Sequence, residues 1–225
     1  VIQRDELMLH NSELAERKRT MEIKQLEEQF NPHFIFNVLE TLRYEIAIDA
    51  AKASDMVMAF ANLMRYSIYY GSTIVPLQTD IEYINDYLLL QKMRYNRRLN
   101  YHIDIPEELM GCKIPKLLLQ PVVENSLVHG MKDIRSIAIN ISAWKEKGQL
   151  KLCVEDNGSG IREEKLEELR KGLEREDVYR EHIGLYNSHR VVRLLYGPES
   201  GMTIESSPGN GTKVTVTLPA DMEEI

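Results

Sequence analysis

The chain has 225 residues, a mass of 26.1 kDa and a net charge of −7, with 43% hydrophobic and 28% charged residues. That length and apolar content suffice for one or two domains with a core of their own, and they exclude a chain disordered throughout. The acidic balance excludes a chain-wide nucleic-acid binder, which needs a basic surface, but leaves room for a local anion site. Cys112 and Cys153 are too few for a cysteine-rich metal cage, and their strand-like neighbours read as a reduced, cytoplasmic core. No apolar run nears the ~20 residues that cross a bilayer. The chain opens on Val1 rather than Met and reads as a piece of something longer, with any membrane segment expected upstream.

Residues 1–29 are charged and poor in turn formers. Leu7, Leu14 and Met21 recur every seven positions, and residues 1–21 read as a coiled-coil lead-in or a plain solvated helix. Asn31-Pro32 interrupts this pattern and suits a helix restart, with Asn as cap and Pro as first helical residue. Apolar residues then return at helical spacing, first at Ile35, Leu39, Leu42 and Ile46. After a polar break at Asp49 they resume at Val57, Phe60, Met64 and Ile68. Two striped helices joined by a short turn make a hairpin with its stripe half exposed, and a second copy would cover it as a dimeric four-helix bundle.

A third helix is expected over 76–98, with Pro76 near its start. Strands are expected over 99–105, 136–144, 149–155, 201–206 and 212–218, and helices over 115–130 and 182–196. Helices interspersed with strands predict an α/β sandwich, so the whole is of the α+β class. The expected organisation is a lead-in over 1–21, a hairpin over 22–72 and a mixed domain over 73–225.

Three segments carry chemistry. Gln120-Pro121-Val122-Val123-Glu124-Asn125 lies on a helix that runs to His129-Gly130. Asp156-Asn157-Gly158-Ser159-Gly160-Ile161 follows a strand. Ile183-Gly184-Leu185-Tyr186-Asn187 opens a helix, and Gly209-Asn210-Gly211-Thr212 leads into the last strand. Singly, each has a plain reading as a turn, a solvated side chain or close packing. Together they suit a nucleotide. A carboxylate after a strand accepts a purine's exocyclic amine, glycines admit close backbone approach, amides at a helix start favour phosphate, and an in-helix Asn offers Mg²⁺ a carbonyl oxygen. Residues 162–181 hold 14 charged residues out of 20 and read as a solvated helical insert or a lid rather than core.

This order of segments resembles the ATP-binding domain of the GHKL superfamily, the Bergerat fold. Phe30-Asn31-Pro32-His33-Phe34-Ile35-Phe36-Asn37 resembles the phosphoacceptor motif of LytS/YesM-type sensor histidine kinases, and the helix with Tyr87, Gln91 and Arg94 resembles theirs. The resemblance implies that His33 is phosphorylated from ATP in a homodimer and passes the phosphoryl group to an aspartate of a response regulator. It implies that Asn125 contacts Mg²⁺ and phosphate with Glu124 and His129 nearby. Asp156 would bind adenine, with Gly158, Gly160 and Ile161 shaping that loop. Gly184, Leu185 and Asn187 would form the phosphate-side helix start, and Thr212 would back the pocket. It also implies the cytoplasmic portion of a bacterial membrane protein.

Three positions depart from the pattern. Phe34 stands directly after His33 where many relatives carry an acid. His182 replaces a glycine two residues before Gly184. Pro121 stands where hydrolysing relatives carry a water-activating Glu, which favours transfer over hydrolysis. Two rivals stay open: a GHKL ATPase or anti-sigma-type serine kinase, and a dimeric module with a degenerate site. With the acid missing, Asn37 and Glu40 become candidates, because they share a helical face with His33 at i+4 and i+7. Glu40 lies ~10.5 Å along the axis, so it is expected to act through water or across the dimer, with Asn37 positioning the water of dephosphorylation.

Overall fold

The computed structural model describes residues 32–69, 73–132, 134–174 and 183–220. The coiled-coil lead-in, Asn31, Gly71-Ser72 and His182 lie outside them. Two compact units divide between Val57 and Met58.

In the first unit, helix α1 (Pro32–Ile48) is followed after one residue by helix α2 (Ala50–Tyr69). The break falls at Asp49, whose carboxylate accepts a hydrogen bond from the Lys52 amide at 3.0 Å and so caps α2. Lys52 pairs with Glu45, which is buried although charged. Val38, Ala53 and Met56 are buried, while Phe36, Leu39, Tyr44, Ile46 and Ile48 are exposed.

The second unit begins with the remainder of α2. A short strand β1 (Ile74–Pro76) leads to helix α3 (Leu77–Tyr95), whose Leu77, Ile81, Ile84 and Leu88 are buried at helical spacing. Strands β2 (Leu99–Asp104), β4 (Ile137–Glu146), β5 (Gln149–Asp156), β6 (Gly201–Ser206) and β7 (Thr212–Pro219) match the expected strands within one or two residues. They form one sheet in the order β2-β4-β5-β7-β6. Only β2 and β4 are parallel among its pairs. In β4, Ile137, Ile139, Ile141 and Ala143 alternate inward, the period expected of a strand with one covered face.

Three features differ from the sequence expectation. The helix expected over 115–130 begins only at Gln120, because Lys113–Pro115 instead forms strand β3, paired antiparallel with β1. Helix α4 (Gln120–Asn125) then widens into a π turn over Ser126–Gly130. The charged stretch contains helix α5 (Glu163–Glu174), and it is not excluded from the core: Leu166, Leu169 and Leu173 are buried against the sheet. Its charges occupy the other face, and composition alone hides that split. Arg170 fastens α5 to β6 by donating from Nε and Nη2 to the Ile204 carbonyl at 3.1 and 2.8 Å. Helix α6 (Ile183–Tyr196) completes the layer, with α5 and α6 both packed on β6.

Candidate functional site

Asp156 ends β5, and the strand register sets it opposite Thr212, the first residue of β7. It is 4% exposed. One carboxylate oxygen accepts from the Ser126 hydroxyl at 2.7 Å and the other from the Gly158 amide at 2.8 Å. Burial raises its pKa, and the bonds from Ser126, Gly158 and Thr212 pull against that rise. Each carboxylate oxygen retains acceptor capacity beyond these bonds.

A cleft with about 480 Å³ of empty space opens beside this carboxylate. Val122, Leu169, Leu185, Ile204 and Val214 make apolar walls, while Asn125, His129 and Thr212 bring polar groups to its lining. The loop after β5 is zipped to the π turn. Ser159 donates from its amide to the Gly130 carbonyl at 3.0 Å and from its hydroxyl to the His129 carbonyl at 3.2 Å. Gly158 lies against Gly130 so closely that a Cβ would stand 2.5 Å from the Gly130 Cα. Gly160 has φ +68°, and a Cβ there would reach within 1.9 Å of the Ser207 carbonyl oxygen.

Of the residues expected here, Asn125, His129, Asp156, Gly160, Ile161, Leu185 and Thr212 line the cleft. Gly158 shapes it by donating to Asp156. Gly184 is a packing glycine, since a Cβ would stand 2.9 Å from Pro121 Cβ where α6 meets α4. Asn187 is exposed on α6. Glu124 accepts from Gln120 at 2.8 Å, and burial raises its pKa against that bond. Its charge adds to burial in lifting the Tyr83 and Tyr87 phenols of α3, so it faces that helix.

Sequence reasoning missed two serines. Ser126 holds Asp156. Ser206 accepts from the Ile161 amide at 2.9 Å and donates to the Gly211 carbonyl at 2.6 Å, with Thr212 Oγ1 at 3.0 Å. The spacing of Ser126 one residue after Asn125 was visible, but its partner thirty positions away was not.

In the hairpin, His33 is exposed, and Asn37 Nδ2 lies 3.2 Å from its Nδ1 and 3.3 Å from its Nε2. A neutral imidazole has one acceptor nitrogen, so the amide donates to whichever nitrogen lacks the proton. Glu40 is exposed further along the helix.

A buried acceptor between flat apolar walls fits a planar heterocycle bearing an exocyclic amine, and glycines at the rim fit the close passage of a polar tail. Comparison with known proteins agrees. Residues 21–99 match the Histidine kinase family, and residues 113–222 match the "Histidine kinase-, DNA gyrase B-, and HSP90-like ATPase" family. "Sensor protein kinase HptS" of Staphylococcus aureus is 32% identical over 216 residues, which cover 96% of this chain and 42% of that protein. The chain therefore spans less than half the length of that relative. Two crystal forms of the catalytic domain of histidine kinase ThkA superpose with TM-scores of 0.52 and 0.51, at 15% and 16% identity. Each covers 67% of this chain and 98% of that domain, and shows a shared fold. With both family segments present in this order, the chain belongs to the sensor histidine kinases of the LytS/YesM type.

Proposed function

We propose that the chain binds ATP with Mg²⁺ in the cleft, is phosphorylated on His33, and passes the phosphoryl group to an aspartate of a response regulator. The observation that carries this reading is Asp156, held by Ser126 and Gly158 at the floor of an apolar cleft. Its free acceptor capacity faces the adenine amine. Thr212 backs the ring, and Gly158, Gly160 and Ile161 shape the loop around it. Asn125 offers a carbonyl oxygen to Mg²⁺. Phosphate and water would complete the oxygen shell of a Mg²⁺ held by that carbonyl. His129, Gly184, Leu185 and Asn187 serve the phosphate side.

Bound ATP supplies the phosphoryl group and its leaving group. The neutral imidazole of His33 presents one ring nitrogen and carries its proton on the other. Glu40, through water or across a dimer, stabilises the cation that forms as the nitrogen–phosphorus bond is made, and Glu124 is the alternative acid. Asn37, already against the ring, positions the water used in dephosphorylation.

The exposed Phe36, Leu39, Tyr44, Ile46 and Ile48 meet a second copy, which makes the working unit a homodimer. No helix among the described residues is long and apolar enough to cross a membrane. We assign the chain to the cytoplasmic portion of a membrane-associated sensor.

Labelled ATP tests the reading. The expected label is acid-labile and base-stable, requires Mg²⁺ and vanishes in His33→Gln. An acid-stable label, or none, overturns it. In the same assay Glu40→Gln is expected to slow labelling by roughly 10²–10⁴-fold at saturating ATP, and labelling at the parent rate removes Glu40 from the reaction.

A further inference from the structure

Asp80 lies in the first turn of α3, outside the cleft lining, and is wholly buried. A buried carboxylate needs donors, and it draws them from two different segments. Its Oδ1 accepts from the Tyr66 hydroxyl in the last turn of α2 at 2.9 Å. The same oxygen accepts from the Leu117 amide at 2.7 Å. Leu117 has φ +60°, a left-handed conformation that a leucine rarely adopts. The turn holding it runs directly into α4, whose cap residue Leu119 offers no side-chain bond to the helix start.

A second tie runs parallel to the first. Lys116 donates from Nζ to the Ser67 carbonyl at 3.3 Å, and the same ammonium lies 5.1 Å from the Tyr66 ring centroid. Leu118 and Leu119 are buried, so the turn has no freedom to shift alone. Downstream, α4 delivers Asn125 to the cleft and Ser126 to Asp156. An unbroken path of bonded groups thus joins the end of α2 to the carboxylate assigned to adenine.

We propose that Asp80 is a positioning residue for the nucleotide cleft, and that Tyr66 makes the placement of α4 depend on the last turn of α2. The effect on ATP rests on the function assigned above, whereas the effect on α4 does not. The carboxylate holds Leu117 in its unfavourable conformation, and this sets where α4 begins. A twist or shift of α2 that pulls the Tyr66 hydroxyl away releases one side of the carboxylate and loosens that hold. Chain continuity makes α2 a natural input, since the same helix starts at Ala50, one residue after the end of the helix that bears His33.

The test uses the full chain with Tyr66→Phe, Asp80→Asn, Leu117→Gly and the Asp80→Asn/Leu117→Gly pair. Tyr66→Phe removes one hydroxyl and keeps the ring. Without nucleotide, hydrogen exchange over residues 117–130 is expected to quicken in Tyr66→Phe and more in Asp80→Asn, with β5 and β7 unchanged. With ATP, calorimetry is expected to show affinity weakened roughly 3- to 10-fold, the range of remote coupling effects. Glycine accepts φ +60° without strain, so Leu117→Gly is expected to restore much of what Asp80→Asn loses. Should Asp80→Asn not fold, Tyr66→Phe carries both readouts. Unchanged exchange over 117–130 in a folded Tyr66→Phe overturns the proposal, as does exchange quickened equally across the sheet. A parent chain that binds no ATP defeats the functional reading alone, because the exchange measurement still decides the positioning.

Discussion

Replacing Asp156 with Asn separates the ligand contact from the fold. The amide is isosteric and can keep both bonds, its oxygen toward the Gly158 amide and its nitrogen toward Ser126, whose hydroxyl turns from donor to acceptor. The neutral group also escapes the burial that raises the pKa of Asp156. The nucleotide-free protein is therefore expected to melt within about 4 °C of the parent, equivalent to ~1 kcal/mol in a chain of this size. Adenine binding fares differently. The second amide hydrogen now meets the purine amine donor to donor, and loss of a hydrogen bond to a charged acceptor costs roughly 1.5–3 kcal/mol. With only 4% exposure there is little water to screen the loss. Calorimetry is expected to show Kd for ATP raised by about one to two decades. Asp156→Ala, which strands Ser126 and the Gly158 amide, should lose both affinity and stability. An Asn variant that binds ATP as the parent does removes Asp156 from the adenine contact. One that melts far below the parent shows that the carboxylate serves the fold instead.

Burial lifts the Asp80 carboxyl from 3.8 to about 6, against the bonds from the Tyr66 hydroxyl and the Leu117 amide. The folded state then binds the proton more tightly than the unfolded chain. The corresponding stability is present below about pH 4 and is lost as pH rises through about 6, on the order of 3 kcal/mol. The Tyr66 and Tyr83 phenols facing the group are raised away from that window, and burial lowers the Lys116 ammonium beside it. Urea unfolding at pH 4.5 and 7 should show a smaller loss of stability in Asp80→Asn than in the parent, the remainder belonging to Asp156 and Glu124, which burial also raises; equal losses refute it. Gly160→Ala must adopt a left-handed φ and displace the Ser207 carbonyl, and is expected to lose more than about 3 kcal/mol in the same assay. Gly111→Ala, which meets nothing within 4 Å, is the control and should stay within about 0.5 kcal/mol.

Much of the fold was legible because its signals are local. Alternation in β4 and β7, the polar break at Asp49 and the glycine loop after β5 each depend on neighbours within a few residues. Asn125 and Asp156 could be singled out for the same reason. What escaped depends on partners far along the chain. Strands β1 and β3 are three residues each, too short for alternation to register. The π turn after Asn125 has no periodicity of its own. Asp80 and Glu45 are helix carboxylates with no local mark of burial, and their partners Tyr66, Leu117 and Lys52 show why they are buried. In α5, three leucines among many charges make a buried face that composition cannot show.

The sheet order carries a consequence for the nascent chain. β7 comes last in sequence among the described strands, yet it lies between β5 and β6 and supplies both with a partner. Until it emerges from the ribosome, β6 has no neighbour in the sheet and Asp156 lacks Thr212 across from it. Ser206, which accepts from the Ile161 amide of the loop after β5, also lacks its bond to Gly211. A chain released before β7 would carry His33 and the glycine loop after β5 in sequence, but no cleft in space. The cleft therefore cannot close before β7 is in place beside β5 and β6.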